Sequence, residues 1–175
     1  NYRPLLATWP KPVETKKSIT NDEWLRIGGV KAFMDGALGA GTALMFAPWD
    51  DDPGNSGVAM PEAAQMEARV AAADAAGFQV EVHAIGDKAN AQILDIYERV
   101  AKKNGPKDRR FRVEHAQHLR QEDIPRFAQL GVIPAMQSVH QTSDMTWAPT
   151  RLGYARTLGA YAWRALLNTG VIIPN

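Results

Sequence analysis

Two segments constrain this chain more than any other feature. FQVEVHA (78–84) and RFRVEHA (110–116) each carry the apolar–polar alternation of a strand, and each finishes on a histidine followed by alanine. Between them KANAQILDIYERVAKKN (88–104) repeats its apolar residues with a helical period. Ile93, Leu94, Tyr97, Val100 and Ala101 form one stripe. Asp87 is placed to cap this helix and Gly105-Pro106 to end it. A strand, a helix and a second strand at this spacing imply a right-handed crossover and parallel pairing.

The same rhythm extends in both directions. Upstream, VKAFM (30–34) reads as a strand that runs into a glycine-rich loop. FAPWDDDPGNSG (46–57) is a polar turn region, and PEAAQMEARVAAADAAG (61–77) is a helix opened by proline and stopped by Gly77. Downstream come a short helix QEDIPRFAQLG (121–131), a strand VIPAMQS (132–138), a helix LGAYAWRALLNTG (158–170) and a last strand VIIPN (171–175). Residues 1–22 carry no period and read as an irregular lead-in, which leaves 23–175 as one α/β domain. An open doubly wound sheet and a (β/α)8 barrel both fit. The dinucleotide order G-x-G-x-x-G follows no strand, which counts against the first.

Composition removes whole classes of function. With a net charge of +1 there is no electrostatic basis for binding nucleic acid or an anionic membrane. No apolar run is long enough to span a bilayer. Without cysteine there are no disulfides, thiolate metal sites or cysteine nucleophiles. The opening NYRPLLATWPKPVETKK lacks the apolar core of a signal peptide, so the expected location is cytoplasmic. The G-x-S-x-G elbow and the phosphate-binding loop are both absent, and DDDPGN lacks the spacing of a calcium loop.

In parallel α/β folds, chemistry gathers where the strands end. Lys31 lies in the first strand, His83 and His115 end the next two, and Gln137 and His140 follow VIPAM. Imidazole is a common ligand for zinc-like metals, and adjacent parallel strands set the two histidines side by side. His118 follows three residues after His115 and is expected at the surface or behind the site. Glu114 is expected to point away from His115 by strand alternation, in a packing or hydrogen-bonding role. Two other readings stay open at this point. Lys31 could be a Schiff-base amine, or the chain could be a folded interaction module without turnover.

The blocks GGVKAFMDGALGAGTAL, DDPGNSG, VEVHAIGDKAN, FRVEHAQHLRQEDIPRFAQLGVIPAMQSVHQTSD and GAYAWRALLNTGV resemble, in order, amidohydrolase family 3 of the amidohydrolase superfamily. Members similar to N-substituted formamide deformylases are metal-dependent hydrolases. The resemblance implies part of a (β/α)8 barrel, covering strands 4 to 7 and the start of strand 8. It implies hydrolysis of carbon–nitrogen bonds other than peptide bonds, by water activated on a divalent metal, most simply Zn. Lys31, carboxylated in many members, His83 and His115 match metal ligands. Lys31 and His140 take catalytic roles, with His140 positioned to stabilise an oxyanion. His140, Gln137 and Asp35 are expected to face a small amide-like substrate. The family's H-x-H pair occurs nowhere in this sequence, and the chain stops short of the strand-8 aspartate. The isolated chain is therefore expected to be inactive and to self-associate through exposed barrel edges.

Overall fold

Alternation along the strands and helical stripes between them build a parallel sheet with one thick core. The computed structural model describes residues 28–174. Four strands stand side by side in chain order: β1 (Gly29–Phe33), β2 (Gln79–Ala84), β3 (Arg112–His115) and β4 (Ile133–Ala135), all pairs parallel. Their order nowhere reverses among the described residues. That is the arrangement of a barrel sector, not of a doubly wound sheet, whose binding crevice sits at a reversal. The α/β class and the partial-barrel layout agree with the sequence. The expected lead-in at 1–22 lies outside the described residues.

The crossovers follow their sequence signals with local changes. Pro61 opens the first one, but as a 3₁₀ turn (Pro61–Gln65) that passes into α1 (Met66–Ala75). Gly77 (φ +81°) then turns the chain into β2. Helix α2 (Asp87–Asn104) buries Ile93, Leu94, Tyr97 and Val100 of the expected stripe, and leaves Ala101 half-buried. Asp87 is not the cap. Gly86 occupies that position, and the Asp87 carboxylate instead accepts the Phe46 N–H at 2.9 Å. A side chain at Gly86 would not fit, because a Cβ there would lie 2.0 Å from the Leu44 carbonyl oxygen. Helix α3 (Ile124–Leu130) ends at Gly131 in the left-handed conformation.

One apolar cluster joins the sheet to these helices. Ala32, Val80, Val82, Ala84 and Val113 face Val70 and Ala73 of α1 and Ile93, Leu94 and Tyr97 of α2. Each fully buried large side chain contributes about 1.5–3 kcal/mol. Tyr97 adds a ring stacked on Phe111 (centroids 4.4 Å) and donates its hydroxyl to the Arg112 carbonyl at 2.7 Å. Asp74 fastens the edge of this layer. Burial pushes its carboxyl up, yet hydrogen bonds from Lys107 and Asn104 and the charge of Arg109 outweigh that and hold it below its usual range. A second, smaller cluster packs Leu38, Met45 and Trp49 of the loop after β1 against Ile85, Ala148 and Leu152.

Three expectations fail toward the C-terminus. The strand expected over 132–138 is only Ile133–Ala135, since Ser138 already begins α4 (Ser138–Asp144). Helix α5 (Ala148–Thr157) was not foreseen; Gly153 (φ 71°) breaks it, and only Ala148 and Leu152 are buried, so it has no stripe to read. The helix expected over 158–170 shrinks to α6 (Trp163–Asn168), because Gly159–Tyr161 is drawn out along the chain after β3. There Leu119 N–H donates to Gly159 O, and Tyr161 N–H to Gln117 O. VIIPN is not a strand over 171–174: among the described residues it pairs with no strand, and Val171 and Ile173 pack against the main core instead.

Candidate metal centre

Strand register decides which side chains meet. Lys31 pairs with Glu81, Phe33 with His83, and His83 with Glu114. These residues alternate with Ala32, Val82 and Val113, which face the helices, so they occupy the opposite face of the sheet. His115 is in register with Ala84, a core residue, and ideal alternation would turn it toward the helices. It does not go there. Positive φ at His115 (77°) and Ala116 (44°) redirects the chain as β3 ends. The His115 ring consequently lies 4.7 Å from that of His83, edge to face. Glu114 therefore shares the face of Lys31 and His83, contrary to the expectation that it points away from the site. Its hydrogen-bonding role is as expected, with Arg112 Nε donating to it at 2.6 Å.

The hydrogen bonds fix the tautomer of both histidines. His83 Nε2 lies 2.8 Å from the Gly36 carbonyl oxygen, which can only accept, so Nε2 carries the proton and Nδ1 keeps its lone pair. Gln137 donates its amide to Ala135 O at 2.9 Å, which turns its own oxygen toward His115 Nδ1 at 2.7 Å. His115 thus holds its proton on Nδ1 and leaves Nε2 free. Burial lowers both imidazoles: His83 to about 4, aided by His115 and Lys31, and His115 also downward, opposed by the Gln137 bond. Both are neutral donors at ordinary pH.

Lys31 is half-buried, with Nζ 5.1 Å from the Phe33 ring centroid. Desolvation lowers its ammonium, while Glu114 and Glu81 oppose that shift. His140, on α4, brings its ring to 5.5 Å from His115. The rings of His83, His115 and His140 thus follow one another in contact, and the charge of Lys31 reaches His83 and His115, lowering both. Two expected substrate residues do something else. Asp35 is wholly buried, and its carboxylate accepts N–H groups from Leu44 (2.9 Å), Ile85 (3.0 Å) and Gly86 (2.8 Å). Burial raises it to about 6 against those three bonds. With one oxygen also 3.5 Å from His83 Nε2, it braces the loop that carries the histidine's acceptor. Gln137 is occupied in orienting His115. His118, expected at the surface or behind the site, is not at the surface: it is 2% exposed.

The residues suit a metal in part. Each histidine offers one free nitrogen while an acceptor holds the other, the usual arrangement behind a ligating imidazole. Among the described residues, however, no three His, Cys, Asp or Glu side chains gather as a cage. The histidine pair lies at the face of the sheet that also carries Lys31. Among the described residues, too, no helix is long and apolar enough to cross a membrane.

The chain is 42% identical over 171 residues to Protein LONG AFTER FAR-RED 3 of Arabidopsis thaliana, covering 96% of this chain and 29% of that protein. It is 37% identical over 149 residues to Putative amidohydrolase YtcJ of Bacillus subtilis, covering 85% of this chain and 28% of the other. An uncharacterized metal-dependent hydrolase from Pyrococcus furiosus superposes with a TM-score of 0.78 at 32% identity, over 91% of this chain and 33% of that one. The chain thus spans about a third or less of the length of these proteins. The model of the amidohydrolase family matches residues 5–175, and the chain belongs to that family.

Proposed function

We propose that this chain forms one wall of the active site of a metal-dependent hydrolase that cleaves carbon–nitrogen bonds other than peptide bonds. The observation that carries this is the edge-to-face pair of two neutral histidines, each with one nitrogen held and one free, on the sheet face that also carries Lys31. His83 and His115 would hold a divalent ion, most simply Zn, and Lys31 would join them once carboxylated. When bound, the metal activates water and polarises a carbonyl.

The chain's own residues supply the rest. Desolvation favours the neutral amine of Lys31, the form that takes up carbon dioxide and so turns a cation into an anionic ligand. Asp35 and Gln137 orient rather than react: one braces the Gly36 loop behind His83, the other aims His115. His140 is placed to donate to the oxygen of a small amide-like substrate as charge develops there. Phe33, 40% exposed beside His83, gives that substrate an apolar wall. Residues 23–175 would be a sector of a (β/α)8 barrel, with β1 and β4 as edges that pair with further strands or with a second copy. Light scattering that finds a stable monomer at high dilution would rule out the second copy.

The test is metal analysis with hydrolysis of simple formamides and amides by the full-length protein and by this chain alone. The full-length protein is expected to bind Zn and turn over, and His83→Ala to abolish both. The isolated chain is expected to show little or no turnover. A full-length protein that hydrolyses these substrates unchanged after His83→Ala would overturn the assignment.

A further inference from the structure

One side chain joins the exits of both strands that carry the histidines. Asn90 lies in the first turn of α2 and is fully buried. Its Nδ2 donates to the carbonyl oxygens of Gly86 (2.9 Å), Ala84 (3.2 Å) and His118 (3.3 Å). All three can only accept, so the amide nitrogen must face them, with its two protons shared among three acceptors. Ala84 directly follows His83, and His118 lies three residues beyond His115. The bond to His118 crosses 28 residues of chain and ties the exit of β3 to the start of α2.

The three bonds are not equivalent. Gly86 O also accepts the Asn90 backbone N–H at 2.9 Å, and Ala84 O also accepts the Ala116 N–H at 3.1 Å. For His118 O the donor is the Asn90 amide. The Oδ1 of Asn90 is buried and has no partner among the described residues. An unpaired buried oxygen costs stability, so packing does not account for this residue, whereas its donors do.

What those donors hold is a strained turn. His115 and Ala116 both sit at positive φ, 77° and 44°, and this turn brings the His115 ring to 4.7 Å from that of His83. Residues other than glycine stay in this region only where their surroundings over-determine them. Before the turn, β3 is fixed by its pairing with β2. After it, the Ala116 N–H is held by Ala84 O, the His118 N–H by Ile85 O at 3.0 Å, and the His118 carbonyl by Asn90. Gln137 aims the imidazole, and Asn90 fastens the backbone behind it.

We propose that Asn90 is a positioning residue for the metal centre, fastening the exit of β3 so that His115 stays turned toward His83. This rests on the reading of the two histidines as metal ligands. The test compares variants of the full-length protein. Asn90→Ala removes every side-chain donor. Asn90→Ser is gentler on the fold: a helical serine bonds the carbonyl four residues back, here that of Gly86, and leaves His118 O unserved. Val100→Ala, buried later on the same helix, controls for lost stability alone. In crystals of the metal-free proteins, both Asn90 variants are expected to show a relaxed turn and parted histidine rings, and Val100→Ala the original spacing. Titrated with Co(II) alone, both Asn90 variants are expected to bind about tenfold more weakly and with an altered visible spectrum, as loss of a group behind a ligand does. Val100→Ala is expected to match the wild type. An intact turn and ring spacing in the Asn90 variants, unchanged Co(II) affinity in them, or an equal loss in Val100→Ala would each overturn the proposal alone, provided His83→Ala abolishes Co(II) binding. Co(II) binding that survives His83→Ala would overturn the metal reading and this proposal together.

Discussion

The two faces of the sheet are built from the same strands and serve opposite ends. Toward the helices, Ala32, Val80, Val82 and Val113 are buried against Ile93, Leu94 and Tyr97. On the other face the alternate residues are Lys31, Glu81, His83, Arg112 and Glu114, all titratable; His83 is buried and the other four are only partly covered. Groups with ionisable chemistry sit where little of the stability is generated, so the two properties can be altered separately.

Tyr97→Ala strikes the packed face hardest. It removes the stack on Phe111 and the bond to Arg112 O, and is expected to lower stability by about 3–5 kcal/mol in urea unfolding. A loss within the range of surface substitutions would mean that this face does not carry the fold.

His118 belongs to neither face and asks whether burial alone governs a histidine here. Its folded pKa, about 4, lies below its ordinary 6.5, so the unfolded chain takes up the proton first. Its contribution is complete above that ordinary value, falls as pH drops between the two, and levels off below the folded one. Relative to His118→Leu, the wild type is expected to lose about 3 kcal/mol across that window. A pH-independent difference between the two proteins would show that His118 is not held neutral.

Lys31→Ala is the smallest perturbation of stability and the sharpest separation of the faces. Unfolding is expected to move by no more than about 0.5 kcal/mol, the usual span for partly exposed sites. Metal uptake by the full-length protein is expected to fall at the same time. A large stability loss with metal uptake intact would reverse the roles assigned to the two faces.

Much of the packed face was legible because it is periodic. Alternation located β2 and β3, VKAFM read as a strand without it, and the stripe of α2 predicted four of its buried residues. The open face was legible in part. His83 and His115 stand out by their places at strand ends and Lys31 by its place within the first strand, yet ideal alternation sends His115 to the other face. Two residues of positive φ correct this, and neither is a glycine that would announce it. Asp35 and Gln137 were misread for a related reason: their partners are backbone groups or a histidine far off in sequence, and local pattern carries no trace of them. Helix α5 lacked a stripe, and VIIPN had the composition of a strand but pairs with none among the described residues.

Asp35 has a consequence for how the site opens. The amides of Leu44, Ile85 and Gly86 come from two chain segments about forty residues apart, and all three end on one carboxylate. None can be released for long without disturbing the others. In hydrogen exchange these amides should share one protection free energy, that of a single local unfolding event. The loop supporting His83 and the exit of β2 would then breathe as one unit, and the histidine would be either fully braced or not braced at all.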